Sequence, residues 1–394
     1  MTKLSIERLS LGGKRVFLRA DLNVPLEHGA VSDDTRLTAV LPTIQLALGA
    51  GASVVLASHL GRPNGTPSPQ YSLKPVADRL ESLLGRPVPL APDCVGPEVE
   101  KAARQLKPGE VLLLENLRFH PEEEANDDGF AQALGSLADV YVDDAFAAAH
   151  RAHASIAAIT RHLQPAAAGL LMQRELDALG RVLTAPARPL IAILGGAKVS
   201  DKVKLVDHLL ERVEGLVIGG GMAFTFLMSL GHDVGRSLLE KDHLDTARRA
   251  VETARRRGVQ IVLPVDTVVA DGPDAPSGRA VSVREIPRTQ MGLDIGPRTR
   301  ERFAEAIRGA GTIVWNGPMG VFERPPFADG TMAVARAVAD ARAFSVVGGG
   351  DTVAAVNAAR VAERIGYIST AGGAFLEFLE GRALPGVEAL TDAD

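Results

Sequence analysis

Short apolar runs alternate with longer amphipathic stretches along the whole chain. In the first half, four apolar runs have the length and continuity of strands that are buried on both faces. These predicted strands cover residues 15–20, 53–58, 111–114 and 140–142. In the second half, five further apolar runs each end at a glycine-containing loop. The loops are Gly195-Gly196, Gly219-Gly220-Gly221, Asn316-Gly317-Pro318, Gly348-Gly349-Gly350-Asp351-Thr352 and Ala371-Gly372-Gly373.

The amphipathic stretches between these runs predict helices. In one of them the apolar residues between Val76 and Leu84 share a single helix face. Ser72 is expected to be the N-cap of this helix and Gly85 to end it. Strands that alternate with helices throughout a chain are typical of an α/β fold with parallel sheets.

A longer helix is predicted over residues 169–183, and the proline-bearing segment 184–189 after it has the composition of a linker. With 394 residues the chain is too long for one core, so two domains are expected. The sequence therefore predicts an α/β protein with two doubly wound parallel-sheet (Rossmann-like) domains joined by a hinge helix. The predicted limits are 1–170, then 171–188 for the helix and linker, then 189–376.

Composition restricts the classes of function. The formal net charge of -5 argues against a general nucleic-acid or membrane-surface binder, so a basic patch is expected to be local and to serve a small anion. Cys94 is the only cysteine, which excludes an internal disulfide. Neither a signal-peptide pattern nor an apolar run of membrane length is present. We therefore expect a cytoplasmic protein.

The segment 189–202 joins an apolar strand to a helix through two glycines and carries Lys198 and Lys202. Glycines let the backbone approach a ligand, and the first amides of a helix carry partial positive charge. The helix dipole disfavours a lysine there by about 0.3 to 1 kcal/mol unless an anion neutralises it. The segment therefore predicts a cradle for a polyphosphate, with Ser200 as N-cap. The alternative is an ordinary strand-to-helix turn, because neither known glycine-rich phosphate-loop pattern is matched.

All five glycine loops are expected at one edge of a sheet, because ligands of open α/β sheets lie beyond the carboxyl ends of the strands. A nucleotide is the ligand that such an edge fits. Asp351 follows three glycines and is a candidate ligand of Mg²⁺. Its alternative role is the N-cap of a helix that begins at Thr352.

Charged and imidazole side chains, instead of glycine triplets, follow the four strands of the first half. They lie in the segments 19–23, 58–63, 115–120 and 150–153. An arginine offers a planar fork to a carboxylate or phosphate, so several arginines at adjacent strand ends predict a site for an acid with more than one anionic group. The expected ligand of this half is a phosphorylated acid.

Each of these residues also has a structural explanation. Arg118 and Arg151, taken singly, are more often solvated or salt-bridged side chains than ligand contacts. His59 is alternatively a hydrogen-bonded histidine at a strand end, and His120 and His153 are assigned to that class.

Two further features predict no site. The acidic run 122–124 is expected to be a solvated charge run. The histidine spacings match no zinc pattern, and no second cysteine is available as a ligand. A metal ion held by Asp351 and phosphate oxygens is preferred over a histidine site.

Taken together, these segments resemble the phosphoglycerate kinase family, and the resemblance runs from about Arg15 to the C-terminus. The matching segments follow one another in the order of the family and are specific to it as a combination. They are residues 19–25, 58–62, 115–119, 144–153, 195–202, 219–226, 315–323 and 348–352.

The resemblance implies functional residues in both halves. The residues implied for 3-phosphoglycerate or its acyl phosphate are Asp21, Asn23, Arg36, His59, Arg62, Arg118 and Arg151. Those implied for ATP or ADP are Gly195, Gly196, Lys202, Gly219, Gly220, Pro318, Glu323, Gly349, Gly350, Asp351 and Thr352. Arg36, Lys198 and the amides of Gly350 and Gly372 are implied to stabilise the phosphoryl group in transit.

The resemblance also implies direct, Mg²⁺-dependent phosphoryl transfer between 1,3-bisphosphoglycerate with ADP and 3-phosphoglycerate with ATP. Such a transfer needs positioning and charge neutralisation more than a covalent nucleophile. The two half-sites lie on opposite sides of the linker, so hinge closure is expected. The family further implies a monomer that binds small molecules only, and a C-terminal segment, 377–394, that returns to the first domain.

Four positions depart from the pattern of the family. Leu22 stands where phenylalanine is expected, which is expected to alter packing only. Ala147 and Ala148 replace a glycine and a threonine, and Ala371 replaces a glycine. Because alanine resists a positive φ, the sequence does not determine the backbone conformation at the alanine positions. Activity is expected to survive these replacements.

Two other functions fit parts of the pattern. A two-domain nicotinamide dehydrogenase fits the glycine loops, but the chain lacks its G-x-G-x-x-G pattern and the acidic residue that follows it. A hinged binding protein without catalysis fits the two halves, but it would usually carry an export signal. It would also not need lysines and an aspartate in one half opposite arginines in the other.

Overall fold

The computed structural model describes residues 2–393. Contacts divide the chain into two units: the first contains residues up to Asp177 and the segment from Ala383, and the second contains Ala178–Arg382. The limits predicted from the sequence stay predictions, and these observed divisions fall at different residues. No helix in residues 2–393 is both long and apolar enough to cross a membrane.

The first unit is built on a parallel sheet. The strands of this sheet are β1 (Arg15–Ala20), β4 (Ser53–Ala57), β5 (Val111–Leu113), β6 (Val140–Asp144) and β7 (Ala166–Ala168). Between β1 and β4 the chain forms a separate antiparallel hairpin of β2 (Leu26–Glu27) and β3 (Ala30–Val31). The sheet order is β5-β4-β1-β6-β7. Its first helices are α1 (Thr35–Gly49), α2 (Lys74–Leu84), α3 (Pro97–Gln105), α4 (Pro121–Glu124) and α5 (Asp128–Gly135).

The predicted ends of α2 are partly confirmed. Gly85 ends the helix in the left-handed region at φ 63°. At the other end Leu73 is the N-cap, and its N–H donates to the Glu115 carboxylate at 3.1 Å. Ser72, the predicted N-cap, lies one residue before the observed N-cap, and its hydroxyl accepts from the Lys74 N–H at 3.2 Å. The Glu115 carboxylate, from a distant loop, therefore accepts one of the hydrogen bonds at the start of α2.

Helix α6 (Leu170–Thr184) continues from the first unit into the second, which contains a second parallel sheet. The strands of this sheet are β8 (Leu190–Leu194), β9 (Gly215–Ile218), β10 (Gln260–Val262), β14 (Thr312–Asn316), β15 (Phe344–Val347) and β16 (Tyr367–Ile368). A separate antiparallel sheet contains β11 (Asp266–Ala270), β12 (Arg279–Ser282) and β13 (Met291–Ile295). The parallel sheet has the order β10-β9-β8-β14-β15-β16.

The remaining α-helices cover both faces of the second sheet or belong to the C-terminal segment. They are α7 (Val203–Leu209), α8 (Met222–Ser229), α9 (Leu244–Arg257), α10 (Pro297–Arg308), α11 (Asp329–Asp340), α12 (Gly350–Ala358), α13 (Gly373–Leu379) and α14 (Pro385–Glu388). Single turns of 3-10 helix connect the other elements. These are Ile6–Arg8, Pro69–Tyr71, Leu117–Phe119, Phe146–Ala148, Ala158–Arg161, Ser200–Lys202, Lys241–His243, Pro325–Phe327 and Ala362–Arg364.

In both sheets the first strand along the chain is central and the strand order reverses beside it. This is the doubly wound arrangement, in which ligands bind where the order reverses, outside the carboxyl ends of the strands. The predicted fold class is therefore confirmed. The strands form where they do because their residues are buried on both faces; all five residues of β4 and of β8 are buried.

The C-terminal segment pairs with the first unit. The Leu4 N–H donates to the Thr391 carbonyl at 2.8 Å, and the Thr391 N–H donates to the Ala166 carbonyl at 2.9 Å. Lys3 forms a 2.7 Å ion pair with Asp392. The segment that does so begins at Ala383, whereas the expected start at 377 lies within α13 of the second unit.

Two consecutive aspartates end β6 in the interior. The Asp144 carboxylate accepts from the N–H groups of Leu171 (2.8 Å) and Met172 (3.0 Å) at the start of α6. One Asp143 oxygen accepts from the Ala145 N–H at 2.8 Å, whereas the other has no hydrogen-bond partner in the described residues. Burial, together with the Asp144 charge, raises the pKa of Asp143 to about 7.

We expect Asp143→Asn to flatten the pH dependence of stability. Between about pH 4 and pH 7 the folded protein holds a proton on Asp143 that the unfolded chain has lost, so its contribution to the free energy of unfolding falls as pH rises through that window. The size is a few kcal/mol at most. Urea unfolding between about pH 5 and pH 8 measures the slope. Asp139→Asn is the control, because burial of Asp139 is outweighed by its hydrogen bonds and ion pair with Arg15, which lower its pKa. Equal slopes in wild type and Asp143→Asn would contradict the assignment.

Candidate active site

The loop after β1 is fastened to α1 and to the loop after β4. The Asp21 carboxylate forms an ion pair with Arg36 of α1 and accepts from the Asn23 N–H at 3.1 Å. The Asn23 side-chain oxygen in turn accepts from the Gly61 N–H at 2.9 Å. About a third of the Arg36 side chain is exposed. Three predicted substrate residues thus lie together at the carboxyl end of the central strand, with a guanidinium open to a ligand.

The loop after β5 brings Arg118 to the same edge of the sheet. The Asn116 side chain donates to the carbonyls of Leu60 (2.8 Å) and Tyr71 (3.0 Å) and accepts from the Arg118 N–H at 3.0 Å. Arg118 then donates to the Gly61 carbonyl at 2.8 Å. Arg118 is 6 % exposed and so is not freely solvated, but its Nε forms a 3.2 Å ion pair with Glu124, as the salt-bridged alternative expects.

Arg62 and Arg151 complete the predicted set. Arg62 is exposed, and Arg151 is half-buried and donates through Nε to His150 Nε2 at 3.1 Å. Burial lowers the pKa of Arg118; the Glu124 charge opposes this shift, and the nearby charges of Arg151 and Arg19 add to it. Arginines close enough to influence one another's pKa form a concentrated positive field, as a multiply charged acid requires.

His59 is buried at the end of β4 and faces the same cations. Its pKa is lowered well below the usual value, first by burial and then by the charges of Arg19, Arg118 and Arg36. Arg19 Nη2 lies 3.1 Å from His59 Nδ1. His59 is therefore a neutral member of a cationic cluster.

The acidic run 122–124 was predicted to be a solvated charge run, and this prediction is wrong at its central residue, Glu123. Glu123 is fully buried, whereas its two neighbours are exposed. Its carboxylate accepts from the Ser155 N–H (2.8 Å) and the Ser155 hydroxyl (2.6 Å). The prediction failed because α4 is one turn long and directs one of three identical side chains inward, which the residue types do not reveal.

His120, which was interpreted as a hydrogen-bonded histidine without a role in chemistry, lies beside a carboxylate. His120 Nε2 lies 2.6 Å from Asp93 Oδ1, and its ring stacks on Phe130. Cys94 lies close to both and donates from Sγ to the Glu115 carbonyl at 3.0 Å. Burial raises the pKa of the Cys94 thiol, so a protonated thiol holds this hydrogen bond. Asp93 therefore links His120 to the backbone of Cys94, whose N–H donates to the same carboxylate oxygen at 2.6 Å.

In the second unit the glycine loops pack against one another at the predicted edge. The Gly196 N–H donates to the Pro318 carbonyl at 2.9 Å, and the Gly220 N–H donates to the Met319 carbonyl at 3.1 Å. Gly219 is fully enclosed, and a Cβ there would collide with the Met319 sulfur. Gly195 is buried in the same way against the loop after β14. These glycines are needed so that backbone can lie on backbone.

We expect Gly220→Ala to lower the free energy of unfolding by about 2 to 4 kcal/mol. Gly220 has φ 65°, and a Cβ there would lie 2.6 Å from the Gly196 nitrogen and 2.7 Å from the Pro318 oxygen. Gly231→Ala is the matched control, because Gly231 has φ 90° but no atom within 4 Å of an added Cβ. It should cost about 1 kcal/mol from backbone strain alone. If urea unfolding shows equal losses of stability in the two variants, the close contact of Gly220 with the neighbouring loops is not the reason that glycine is needed there.

The predicted N-cap at Ser200 is wrong. Glu240, from the loop before α9, accepts from the N–H groups of Val199 (2.5 Å) and Ser200 (3.0 Å) and from the Ser200 hydroxyl (2.6 Å). Burial acts to raise the pKa of Glu240, but the hydrogen bonds from Ser200 and Val199 together outweigh burial, so the pKa is lowered. Two amides that were expected to face a phosphate are therefore held by a carboxylate of the chain itself.

The two lysines of this loop differ. Lys198 is exposed, whereas Lys202 is buried and donates from Nζ to the Asn316 side-chain oxygen. The Asn316 amide nitrogen donates to the Gly348 carbonyl at 2.7 Å. Burial lowers the pKa of Lys202, and the charges of Asp201 and Asp351 oppose that shift. Lys202 thus connects the loops after β8, β14 and β15.

The loop after β15 turns directly into α12. Gly349 has φ 94° and is the N-cap, Gly350 begins the helix, and Asp351 lies in its first turn. Asp351 makes no N-cap hydrogen bond. Thr352 is buried, and its hydroxyl accepts from the Gly317 N–H at 2.7 Å. The backbone amides of the first turn and the Asp351 carboxylate are therefore presented at the surface of the unit.

The alanines that replace family residues adopt ordinary backbone conformations. Ala147, Ala148 and Ala371 are not among the described non-glycine residues with positive φ. The Ala371 N–H donates to the Ser369 hydroxyl at 3.2 Å, and Gly372 beyond it is exposed as the N-cap of α13. These substitutions therefore introduce no left-handed strain.

A cavity of about 370 Å³ lies beside these loops within the second unit. Among the predicted nucleotide residues, the cavity is lined by Gly196, Gly220, Pro318, Glu323 and Asp351. Much of its wall is apolar and was not predicted; this part includes Phe224, Leu238, Leu293 and Val321. Leu238 is 53 % exposed and contributes to this apolar wall. A flat apolar ring with a polar tail suits such a cavity.

Asp351 offers a metal ion a suitable ligand. Its carboxylate is exposed, lines the cavity and accepts no hydrogen bond from the described residues. Mg²⁺ prefers hard oxygen ligands and is usually held by one or two carboxylates together with substrate phosphates. The residue fits the magnesium site that the sequence predicted.

Comparison with known proteins identifies the family. The family model described as phosphoglycerate kinase matches residues 6–382. Phosphoglycerate kinases of Moorella thermoacetica and Acidobacterium capsulatum are 58% and 56% identical to the chain, with 100% of both sequences covered in each case. The solved structures of phosphoglycerate kinase from Coxiella burnetii and Pyrococcus horikoshii are 43% and 37% identical, have TM-scores of 0.92 and 0.84, and cover 98% of each chain. The chain belongs to the phosphoglycerate kinase family.

Proposed function

We propose that the chain catalyses reversible phosphoryl transfer between 1,3-bisphosphoglycerate with ADP and 3-phosphoglycerate with ATP. The observation that carries this proposal is the chemical division between its two sheets. One carboxyl edge holds clustered guanidinium groups, including Arg36 and Arg118, and the other holds glycine loops beside an apolar cavity. A phosphorylated acid suits the first edge and a nucleotide suits the second.

On the acceptor side, the guanidinium groups would bind the two anionic ends of 3-phosphoglycerate. The proposed residues are Asp21, Asn23, Arg36, His59, Arg62, Arg118 and Arg151. Asp21 and Asn23 hold the loops in register through Arg36 and Gly61, so their contribution includes orientation of the cationic groups. Arg118 is the most firmly oriented of the arginines, because its side chain is buried and bonded to a carbonyl.

On the donor side, the cavity would hold the nucleoside and the helix start would hold its phosphates. Gly196, Gly220 and Pro318 border the cavity, and the enclosed Gly195 and Gly219 let their loops approach closely. Glu323 is exposed at the cavity and would accept from the ribose hydroxyls. The residues proposed for the phosphates are Lys202, Gly349, Gly350, Asp351 and Thr352.

The proposed reaction needs no general base. The carboxylate of 3-phosphoglycerate is already ionised at neutral pH, attacks the terminal phosphorus of ATP, and displaces ADP as the leaving group. Arg36, Lys198 and the amides of Gly350 and Gly372 would neutralise charge on the moving phosphoryl group. Mg²⁺ bound by Asp351 would supply charge neutralisation at the nucleotide phosphates.

The acceptor and donor residues belong to different units of the chain, and reacting atoms must approach to about 3 to 3.5 Å. We therefore propose that the units close during turnover, which would also exclude water from the acyl phosphate. We further propose that the enzyme works as a cytoplasmic monomer on small molecules, without a nucleic-acid or membrane partner.

The test is a coupled assay with MgATP and 3-phosphoglycerate, in which glyceraldehyde-3-phosphate dehydrogenase traps the acyl phosphate and consumes NADH. We expect NADH loss that requires the enzyme, ATP and 3-phosphoglycerate together, and that stops when EDTA removes the metal. Folded protein without turnover under these conditions would refute the proposal. A nicotinamide dehydrogenase would instead consume NADH without ATP or the coupling enzyme.

A further inference from the structure

Arg19 is a buried cation next to the acceptor site. It lies on β1, the central strand, and is 1 % exposed. Its Nε donates to the Ser155 hydroxyl at 2.9 Å, one Nη donates to the Ala20 carbonyl, and the other Nη lies 3.1 Å from His59 Nδ1. A buried guanidinium with three directed contacts has a fixed orientation.

Ser155 links this cation to a buried anion. Its hydroxyl hydrogen goes to Glu123 Oε1 at 2.6 Å, which leaves an oxygen lone pair to accept from Arg19. The Ser155 N–H donates to the second Glu123 oxygen at 2.8 Å. The hydrogen bonds therefore run in one direction, from Arg19 Nε through the Ser155 hydroxyl to Glu123.

The contact with Arg19 leaves only one protonation state for His59. A guanidinium can donate but cannot accept. A hydrogen on His59 Nδ1, in either the other neutral tautomer or the imidazolium, would point at an Arg19 N–H group 3.1 Å away. Only the neutral ring with a bare Nδ1 accepts this hydrogen bond, and its single hydrogen is then on Nε2.

We propose that Arg19, held by Ser155 and Glu123, is a positioning residue that fixes His59 as the neutral Nε2–H tautomer, so that His59 offers one N–H to an anionic oxygen of the bound acid. The choice of ligand rests on the proposed function, whereas the tautomer follows from the ligand-free structure. No hydrogen-bond partner of Nε2 is found among residues 2–393, so this donor is available.

The charges around His59 act in the same direction. Burial lowers its pKa most, and the charges of Arg19 on β1, Arg118 after β5 and Arg36 on α1 add to the shift. Burial and the charges of Arg19, Arg118 and Arg151 lower the pKa of His153 to about 3, so that ring is neutral as well. The acceptor site therefore receives its positive charge from arginines, and His59 adds direction without adding charge.

The direct test is long-range ¹H–¹⁵N NMR of the full chain labelled at histidine, without substrates, with His59→Gln used to assign the resonance. We expect His59 to show an unprotonated Nδ1 and a protonated Nε2 at every pH from about 8 to about 5.5, a range that spans the ordinary histidine pKa of about 6.5. A protonated Nδ1, or conversion to imidazolium within that range, would overturn the inference.

A double variant tests whether Arg19 is the cause. Arg19→Met with Glu123→Gln removes the cation and its anion together, so no single buried charge is left behind. We expect His59 in this variant to lose its single tautomer. The KM for 3-phosphoglycerate should rise about tenfold and become dependent on pH, with a smaller change in kcat. A purely structural role would leave the tautomer and the pH profile as they are in the wild type.

Asp143→Asn is the control, because Asp143 is buried near Arg19 but does not contact His59. It should leave the tautomer unchanged, and a change there would contradict the specific role of Arg19. If the double variant fails to fold, the wild-type spectrum still decides. An active enzyme with the wrong tautomer refutes only this inference, whereas the expected tautomer in a protein without transfer activity refutes only the proposed function.

Discussion

Arg36→Ala is expected to lower kcat by about 100- to 1000-fold while the KM for ATP changes little. In the proposed reaction Arg36 neutralises charge that develops on the phosphoryl group during transfer, so its removal raises the barrier more than it weakens substrate binding. Its guanidinium is oriented by Asp21, and about a third of the Arg36 side chain is exposed. Steady-state kinetics in the coupled assay, with each substrate varied in turn, separate kcat from the two KM values.

Arg79→Ala is the matched control for this change. Arg79 also pairs with an aspartate, Asp34, but it is an exposed residue of α2 outside the proposed site. Its loss should leave kcat within about twofold, because exposed ion pairs are worth about 0 to 1 kcal/mol. An unchanged kcat in Arg36→Ala together with weakened ATP binding would reverse the assignment of Arg36 from the acceptor to the donor side.

Lys202→Met is expected to weaken ATP and ADP binding by about 2 kcal/mol or more, roughly 30-fold, and to spare 3-phosphoglycerate. The Lys202 ammonium is buried among the glycine loops, where low water access strengthens its attraction to nucleotide phosphates. Methionine keeps much of the apolar stem of lysine and removes only the charge. Isothermal titration with MgADP and, separately, with 3-phosphoglycerate measures both affinities.

Lys204→Met is the control, because Lys204 is exposed on α7 two residues further along. It should leave both affinities near those of the wild type. Equal weakening of nucleotide and 3-phosphoglycerate by Lys202→Met would mean that Lys202 acts through closure of the units instead of through direct contact with phosphate.

The parallel strands of both sheets were largely predictable, because strands buried on both faces appear as continuous apolar runs. The predicted strand 15–20 coincides with β1, and the helix predicted over 169–183 corresponds to α6 at Leu170–Thr184. The five glycine loops also lie, as predicted, at the ends of five neighbouring parallel strands. The period and the continuity of apolar residues along the chain thus predict the positions of helices and strands whose surroundings are uniformly apolar.

The antiparallel sheet of β11, β12 and β13 was not predicted, although β13 supplies part of the cavity wall. Two of the four β12 residues are exposed and the other two half-buried, so this strand lacks an apolar run. Leu238 was missed for a related reason: nothing in its neighbours distinguishes a leucine that faces a cavity from one in a core. Cavity walls depend on contacts between distant segments, which local patterns do not encode.

The cationic residues of the acceptor site were identified, but their supports were not. Glu123 was expected in solvent, and Ser155 was not singled out, although both are buried and hold Arg19. Glu240 likewise takes the amides that were assigned to a phosphate. Residues more than 30 positions apart meet in each case, and single-sequence reasoning has no access to such pairs.

A crystal structure with 3-phosphoglycerate, Mg²⁺ and a non-hydrolysable ATP analogue tests the central claim most directly, because that claim divides the two substrates between the two sheets. We expect the acid on Arg36, Arg118 and Arg151 at the carboxyl edge of the first sheet. The nucleoside should fill the cavity beside Leu238, with the metal ion at Asp351. Nucleotide bound among the arginines of the first unit, or a cavity that stays empty at saturating nucleotide, would contradict the account.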